Sequence, residues 1–249
     1  MSDFDESKDI KFSIIVPTLN EEKLIKRFLS QFDSSLKSKY KFEIIISDGG
    51  SRDATLSLLN GVVDKLVEHK ENHKQNISQG RNKGAAGSLG DVLIFLNADT
   101  GISDINLFFE NISENLKDGI AALSCPIKVF PEDEILKDKI FHFCYNGYVK
   151  VLNKFFMGMG RGECHIVNRE YFFKLNGYNE KMFAGEDFDL FKRLRKFGKI
   201  KIMKNVIVYE SPRRYRKFGY VSVFLDWAKN AVSITLFKKS ISKDWIEVR

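Results

Sequence analysis

Four short stretches of this chain put acidic or basic side chains just where apolar runs end. Asp99, in Asn97-Ala98-Asp99, follows the run Val92 to Leu96. A carboxylate released there suits a hard cation such as Mg²⁺ or Mn²⁺, which prefers oxygen ligands. Asn97 offers only an amide, a poorer ligand that can bond a ribose or a metal-bound water. Asp48 follows the run Phe42 to Ser47 and can accept from the N–H of a base. Arg81 and Lys83, in Gly80-Arg-Asn-Lys-Gly84, could grip a diphosphate, the first as a bidentate fork and the second as a point charge. Glu186 and Asp187 open a helical pattern after Gly185, where a carboxylate can act as a general base. The positive end of that helix pulls its pKa down, whereas burial or the neighbouring acid pushes it up. A second basic cluster, Arg213, Arg214, Arg216 and Lys217, follows the last strand pattern. It could fold over a diphosphate as a lid or face anionic headgroups.

The elements that must position these groups follow from hydrophobic periodicity. Strands are expected at 12–16, 42–47, 65–68, 92–96, 120–125, 199–203 and 206–209. Helices are expected over 24–36, 54–59, 78–88, 105–116, 137–156, 169–176, 186–197 and 218–237. Strands alternating with helices imply βαβ units and a largely parallel sheet. In such sheets ligands lie beyond the carboxyl ends of the strands, so three strand-end motifs converge on one site. Thr18 to Glu21 also resembles a capping box, so Thr18 and Asn20 have a purely structural reading as well. Asp48-Gly49 can likewise be a turn, and Asp189 complements the helix dipole rather than acting in chemistry.

With 249 residues, 43% hydrophobic and 29% charged, the chain has room for one sizeable α/β domain. The net charge of +7 favours phosphate-bearing ligands, nucleic acid or anionic lipid without choosing among them. The three cysteines lack metal-ligand spacing and fit reduced thiols in a cytosolic protein. Met1 to Ile10 is acidic and does not read as a signal peptide, and no stretch is apolar enough to span a bilayer. The expected location is cytoplasmic, including peripherally on the inner face of the cell membrane. The 218–237 helix is too apolar for free solvation, so it packs on the domain, on a second subunit or on a bilayer.

Five motifs, in order, resemble the family-2 inverting glycosyltransferases of GT-A fold: Ile14 to Glu21, Ile46 to Asp53, Gly80 to Gly84, Gly90 to Asp99 and Gly185 to Leu190. The resemblance implies a GT-A domain over 10–210, with a nucleotide half at 10–125 and an acceptor half at 126–210. Residues 211–249 would add a basic segment and an apolar amphipathic helix. It further implies that Pro17, Thr18, Glu21, Asp48, Gly49, Arg81, Asn97 and Asp99 bind a nucleotide-diphospho-sugar, with Asp99 as the Mg²⁺ or Mn²⁺ ligand. Lys83, Arg213, Arg214 and Arg216 would serve the diphosphate or a lid. Asp187, with Glu186, would deprotonate the acceptor: a glycan, a small molecule or a lipid-linked group. Rival readings are a sugar nucleotidyltransferase, which would want a glycine-rich loop in place of Pro17-Thr-Leu-Asn20, and a non-catalytic nucleotide-binding scaffold, which Asn97 makes thinkable. No nucleic-acid-binding module is present, so no nucleic acid is expected as a partner.

Overall fold

In a computed structural model that describes residues 9–155 and 158–241, the strand patterns assemble one mixed sheet. β1 (Phe12–Thr18), β2 (Phe42–Asp48), β3 (Lys65–Glu68) and β4 (Val92–Leu96) run parallel in the order β3-β2-β1-β4. Sheets covered on both faces carry unbroken apolar runs, and the period of two sorts their residues. Ile14, Val16, Ile44, Ile46 and Ile94 enter one core, while Ile15, Ile45, Leu93 and Phe95 enter the other. The helices that cover the faces are α1 (Ile25–Leu29), α2 (Ser34–Tyr40), α3 (Ile77–Ala86) and α4 (Ile105–Asn115).

The sheet continues through a strand that periodicity did not delimit. β8 (Cys164–Asn168) runs antiparallel between β4 and β6 (Ile120–Ser124), and β9 (Lys199–Ile202) closes the far edge parallel to β6. A second sheet of very short strands, β5 (Gly101–Ile102), β7 (Ile127–Val129) and β10 (Val208–Glu210), has the order β5-β10-β7. The later helices are α5 (Leu136–Lys154), α6 (Arg169–Lys174), α7 (Glu186–Leu194), α8 (Arg213–Phe218) and α9 (Tyr220–Phe237). Phe156, expected to end α5, and the final residues 242–249 lie outside the described residues, as do residues 1–8 of the acidic N-terminus.

Three local expectations are corrected. The single helix over 24–36 is two, because Asp33 accepts from Leu36 N at 2.8 Å and starts a new helix there. Thr18 caps nothing: it ends β1, and α1 begins seven residues on with no side-chain cap. The stretch near 54–59 forms only a 3₁₀ turn over Leu56–Leu58. The basic run after β10 is helical, and Gly219, at φ 82°, separates α8 from α9. A side chain there would be strained, so the two helices meet at a corner.

Candidate active site

The parallel register of β1 and β2 sets Thr18 opposite Asp48, and the Thr18 hydroxyl donates to Asp48 Oδ1 at 3.0 Å. Asp48 is fully buried. Its Oδ2 accepts from the backbone N–H of Gly50 at 2.8 Å and of Ser51 at 2.7 Å, and Oδ1 also takes the Ser51 hydroxyl. Asp48 therefore holds the turn after β2 instead of facing the cavity. Around that turn lies a cavity of about 550 Å³. Pro17, Thr18, Glu21 and Gly49, Asn97 and Asp99, and Gly185 to Asp187 all line it. The three strand ends and the start of α7 do converge, as the sheet topology requires.

Asp99 sits between opposing influences. Burial raises its pKa, and Arg213 draws it back. Arg213 Nη2 donates to Asp99 Oδ2 at 3.0 Å and to Glu21 Oε1 at 3.3 Å, across 114 and 192 residues of sequence. A desolvated carboxylate facing the cavity and matched by one cation fits Mg²⁺ or Mn²⁺ held through one protein carboxylate plus phosphate and water. Among the described residues no group of three His, Cys, Asp or Glu could hold an ion by itself. Of the other cationic candidates, Arg214 lines the cavity. Arg216 does not: it bonds the Asp133 carbonyl and Asp138 Oδ2, the latter at 3.1 Å, and so ties α8 to the start of α5.

Arg81 is, with Arg161, among the largest fully buried side chains of the described residues. Its Nη1 donates to Glu186 Oε1 at 2.9 Å, and its Nη2 to Asn97 Oδ1 at 3.1 Å and to the Gly162 carbonyl at 2.6 Å. Its fork is therefore engaged with protein and ties β4, the loop before β8 and α7 together at the cavity lining. The expected diphosphate contact would have to compete with these three bonds. Lys83 points elsewhere, to Glu71 at 2.5 Å and His69 Nδ1 at 3.0 Å, and takes no part in the cavity. Both side chains leave α3, but only one leaves on the face toward the sheet end.

Gly185, at φ 76°, starts α7, and a Cβ there would come within 2.5 Å of Ile234 Cδ1 on α9. Glu186 is bound to Arg81, which makes it a positioning group. Asp187 faces the cavity, and its carboxyl is pushed up to about 7 by burial and then by Glu186. Burial thus outweighs the helix dipole here.

A further cluster escaped the sequence reading. Arg161 is buried between Glu210, at 2.9 Å from Nη2, and Glu163, at 3.3 Å from Nε. Its Nη1 also meets His142 Nδ1 at 3.3 Å, and burial drags that imidazole down to about 4. Burial and then Glu163 hold the Glu210 carboxyl well above its usual range. Burial is the largest influence on Glu163 and would raise it too, but Arg161 together with hydrogen bonds from Glu210 and the backbone turns the net direction down. Glu163 lines the cavity between Asp99 and Asp187, and Tyr145, Tyr148, Phe224 and Trp227 form an aromatic wall beside it. The only sequence signal was a charged pair in a glycine-rich loop, and its partner Glu210 lies 49 residues on. His165, on β8, is buried with Nδ1 2.6 Å from the Tyr178 hydroxyl, a packing role.

A mostly parallel sheet with a cavity across its strand ends, lined by the desolvated Asp99 and by the raised carboxyl of Asp187 at a helix start, is the arrangement of a GT-A glycosyltransferase. The chain belongs to glycosyl transferase family 2, whose family model matches residues 13–174. A Campylobacter jejuni protein named GalNAc(5)-diNAcBac-PP-undecaprenol beta-1,3-glucosyltransferase is 25% identical over 241 residues, 94% of this chain and 73% of that protein. The Staphylococcus aureus poly(ribitol-phosphate) beta-N-acetylglucosaminyltransferase TarS is 30% identical over 115 residues, covering 45% of this chain but 18% of TarS. Among solved structures, the mannosyltransferase PcManGT from Pyrobaculum calidifontis, in complex with GDP-Man and Mn²⁺, matches with TM-score 0.62 at 18% identity, over 89% of this chain and 65% of that one. Glucosyl-3-phosphoglycerate synthase from Mycobacterium tuberculosis, in complex with Mn²⁺, UDP and glucosyl-3-phosphoglycerate, matches with TM-score 0.57 at 17% identity, over 93% of this chain and 80% of that one. The chain thus spans under a fifth of TarS and just under two thirds of the Pyrobaculum enzyme.

Proposed function

We propose that this chain transfers a sugar from a UDP- or GDP-sugar to a hydroxyl or lipid-linked phosphate acceptor, with inversion at the anomeric carbon and with a divalent cation. The observation that carries this reading is Asp187, a carboxyl raised to about 7 that lines the same cavity as Asp99. A base with a pKa near the working pH transfers a proton most effectively. On a hydroxyl acceptor, the oxygen attacks C1 from the face opposite the diphosphate. The new C–O bond forms, the C1–O bond to the diphosphate breaks with its electron pair, and Asp187 takes the acceptor's proton. A phosphate acceptor needs no base, and Asp187 then only orients it.

Pro17, Thr18, Glu21 and Gly49 close the nucleotide end, and Asp48 supports them by holding the turn. Asp99 would hold Mg²⁺ or Mn²⁺, with Arg213 and Arg214 beside the diphosphate. Such an ion offsets the negative charge that develops on the leaving group. Support for the donor class comes from the GDP-Man and UDP complexes of the two structural relatives. Support for a lipid-linked acceptor comes from the name of the Campylobacter relative.

The test is Asp187→Asn. We expect donor-induced thermal stabilisation to persist, while turnover on a hydroxyl acceptor falls by about 10²–10⁴-fold. Unchanged turnover on that acceptor would refute the assignment. A scaffold reading has one observation in its favour, the bond between Arg213 and Asp99 where a cation would bind. Donor hydrolysis or transfer with Mn²⁺ present excludes it.

A further inference from the structure

Two exposed apolar stripes meet at the aromatic end of the cavity. On α5, Leu136, Ile140, Phe143 and Val151 recur at about one-turn and two-turn intervals, opposite the buried Tyr145 and Val149. All four are exposed, and Phe143 reaches 81%. On α9, Val221, Leu225, Val232 and Leu236 form a second exposed stripe, opposite the buried Val223 and Ile234. The helices touch through Tyr148 of α5 and Phe224 of α9, with ring centroids 6.3 Å apart. Both rings also line the cavity. The apolar surface therefore runs from the outer faces of the two helices, over this pair, into the proposed acceptor end. Apolar area of this extent on a folded chain marks an interaction surface.

Basic residues predominate around it, although Glu132, Asp133 and Glu134 precede α5 and Glu134 lies 3.8 Å from Lys139. The exposed charged residues of α5 are Lys137, Lys139, Lys150 and Lys154, and the helix's one acid, Asp138, is buried. Lys238 and Lys239 continue past α9, whose Asp226 lies 3.8 Å from Lys229. Among the described residues no helix is long and apolar enough to cross a membrane.

We propose that the α5–α9 face lies on an anionic lipid bilayer, with its apolar stripes sunk at the headgroup boundary and its lysines among the phosphates. The cavity then takes the acceptor headgroup directly from the membrane. An amphipathic surface of this kind binds through buried apolar area together with attraction to anionic lipid. A second copy related by a two-fold axis would bring one lysine-flanked patch onto another, which opposes that alternative. The docking surface stands on its own geometry, while delivery of an acceptor rests on the transferase reading above.

The experiment is sedimentation of the full chain with phosphatidylcholine vesicles, with and without about 30% phosphatidylglycerol. We expect partitioning onto the anionic vesicles at least tenfold stronger than onto neutral ones, and release by about 0.5 M salt. Phe143→Ser with Leu225→Ser, and separately Lys150→Glu with Lys154→Glu, should each weaken partitioning about tenfold or more. Both pairs should keep the donor-induced thermal shift and turnover on a water-soluble acceptor. Equal binding to neutral and anionic vesicles, or variants that bind like wild type, would overturn the proposal. So would a solution dimer that Phe143→Ser dissolves. Selective vesicle binding by a chain that turns over no donor would uphold the surface and sink the transferase reading instead.

Discussion

Replacing Arg81 tests whether its fork at the cavity lining is structural. Arg81 is wholly buried and its partner Glu186 has a side chain only 9% exposed. Arg81→Met leaves the Glu186 carboxylate without its cation and deprives the Asn97 amide oxygen and the Gly162 carbonyl of their donor. Breaking a buried pair from one side costs about 3–5 kcal/mol, a large share of the roughly 5–15 kcal/mol that holds a typical domain. Glu186→Leu leaves the guanidinium equally stranded and should cost a similar amount. Removing both charges together abolishes the unmet desolvation, so Arg81→Met with Glu186→Leu should lie within about 2 kcal/mol of wild type. Urea unfolding of the four proteins at one pH closes this cycle. The double variant should also keep the thermal shift given by a nucleoside diphosphate with Mn²⁺, since the Arg81 fork is already held by three protein groups. An Arg81→Met cost below about 1 kcal/mol, or strictly additive losses, would refute the structural role. A stable double variant that has lost nucleotide binding would restore Arg81 to the diphosphate.

Asp187 should carry a stability penalty that depends on pH. Its carboxyl titrates near 7 in the fold against 3.8 unfolded, so its favourable contribution is full below about pH 4 and disappears as pH rises through 7. Asp187→Asn should therefore raise the unfolding free energy at pH 8 by on the order of a few kcal/mol, seen as a higher Tm, and change it little near pH 4; equal gains at both pH values would contradict this. Glu186→Gln removes a like charge beside Asp187 and leaves Arg81 unopposed, so the acidic limb of the rate profile should move to lower pH. Arg213→Ala frees Asp99 from its cation, so Mn²⁺ should bind more tightly without nucleotide in calorimetry, while donor KM rises. Mn²⁺ affinity that is unchanged or weaker would show that Arg213 does not compete for that carboxylate. Asp48→Asn exchanges one acceptor for a donor where four protein groups donate, so unfolding should show a loss of about 1–3 kcal/mol. A variant as stable as wild type would show that Asp48 is held for a ligand.

The parallel half of the sheet was legible because buried strands write themselves as unbroken apolar runs. β1, β2, β3 and β4 begin within a residue of where the runs do, and the polar residues behind three of them reach one rim. β8 was not delimited, because Cys164 and His165 dilute its apolar signal and its partners β4 and β6 are distant in sequence. Strands of two or three residues such as β5 and β10 are shorter than any period, and their pairing comes from tertiary contact. Cations were read least well. Arg81, Lys83 and Arg216 each found a protein acid, and which acid lies in reach is a property of the fold: Glu186 is 105 residues from Arg81. Asp187 shows the reverse case. Its two opposing influences were visible in the sequence, but burial, which decides between them, was not.

β8 pairs antiparallel with β4, with Cys164 opposite Leu96. Its first residue therefore stands at the edge where its parallel neighbours finish, and Met159, Arg161, Gly162 and Glu163 of the preceding loop line the cavity there. A strand inserted in the common direction would have presented that loop at the opposite edge, far from Asp99. One reversed strand thus brings a loop from far along the chain to the rim formed by the first strand ends. Its Gly162 carbonyl and Arg161 guanidinium are tied to Arg81 and Glu210, so replacing residues 158–163 should disturb that rim as well as reshape the cavity.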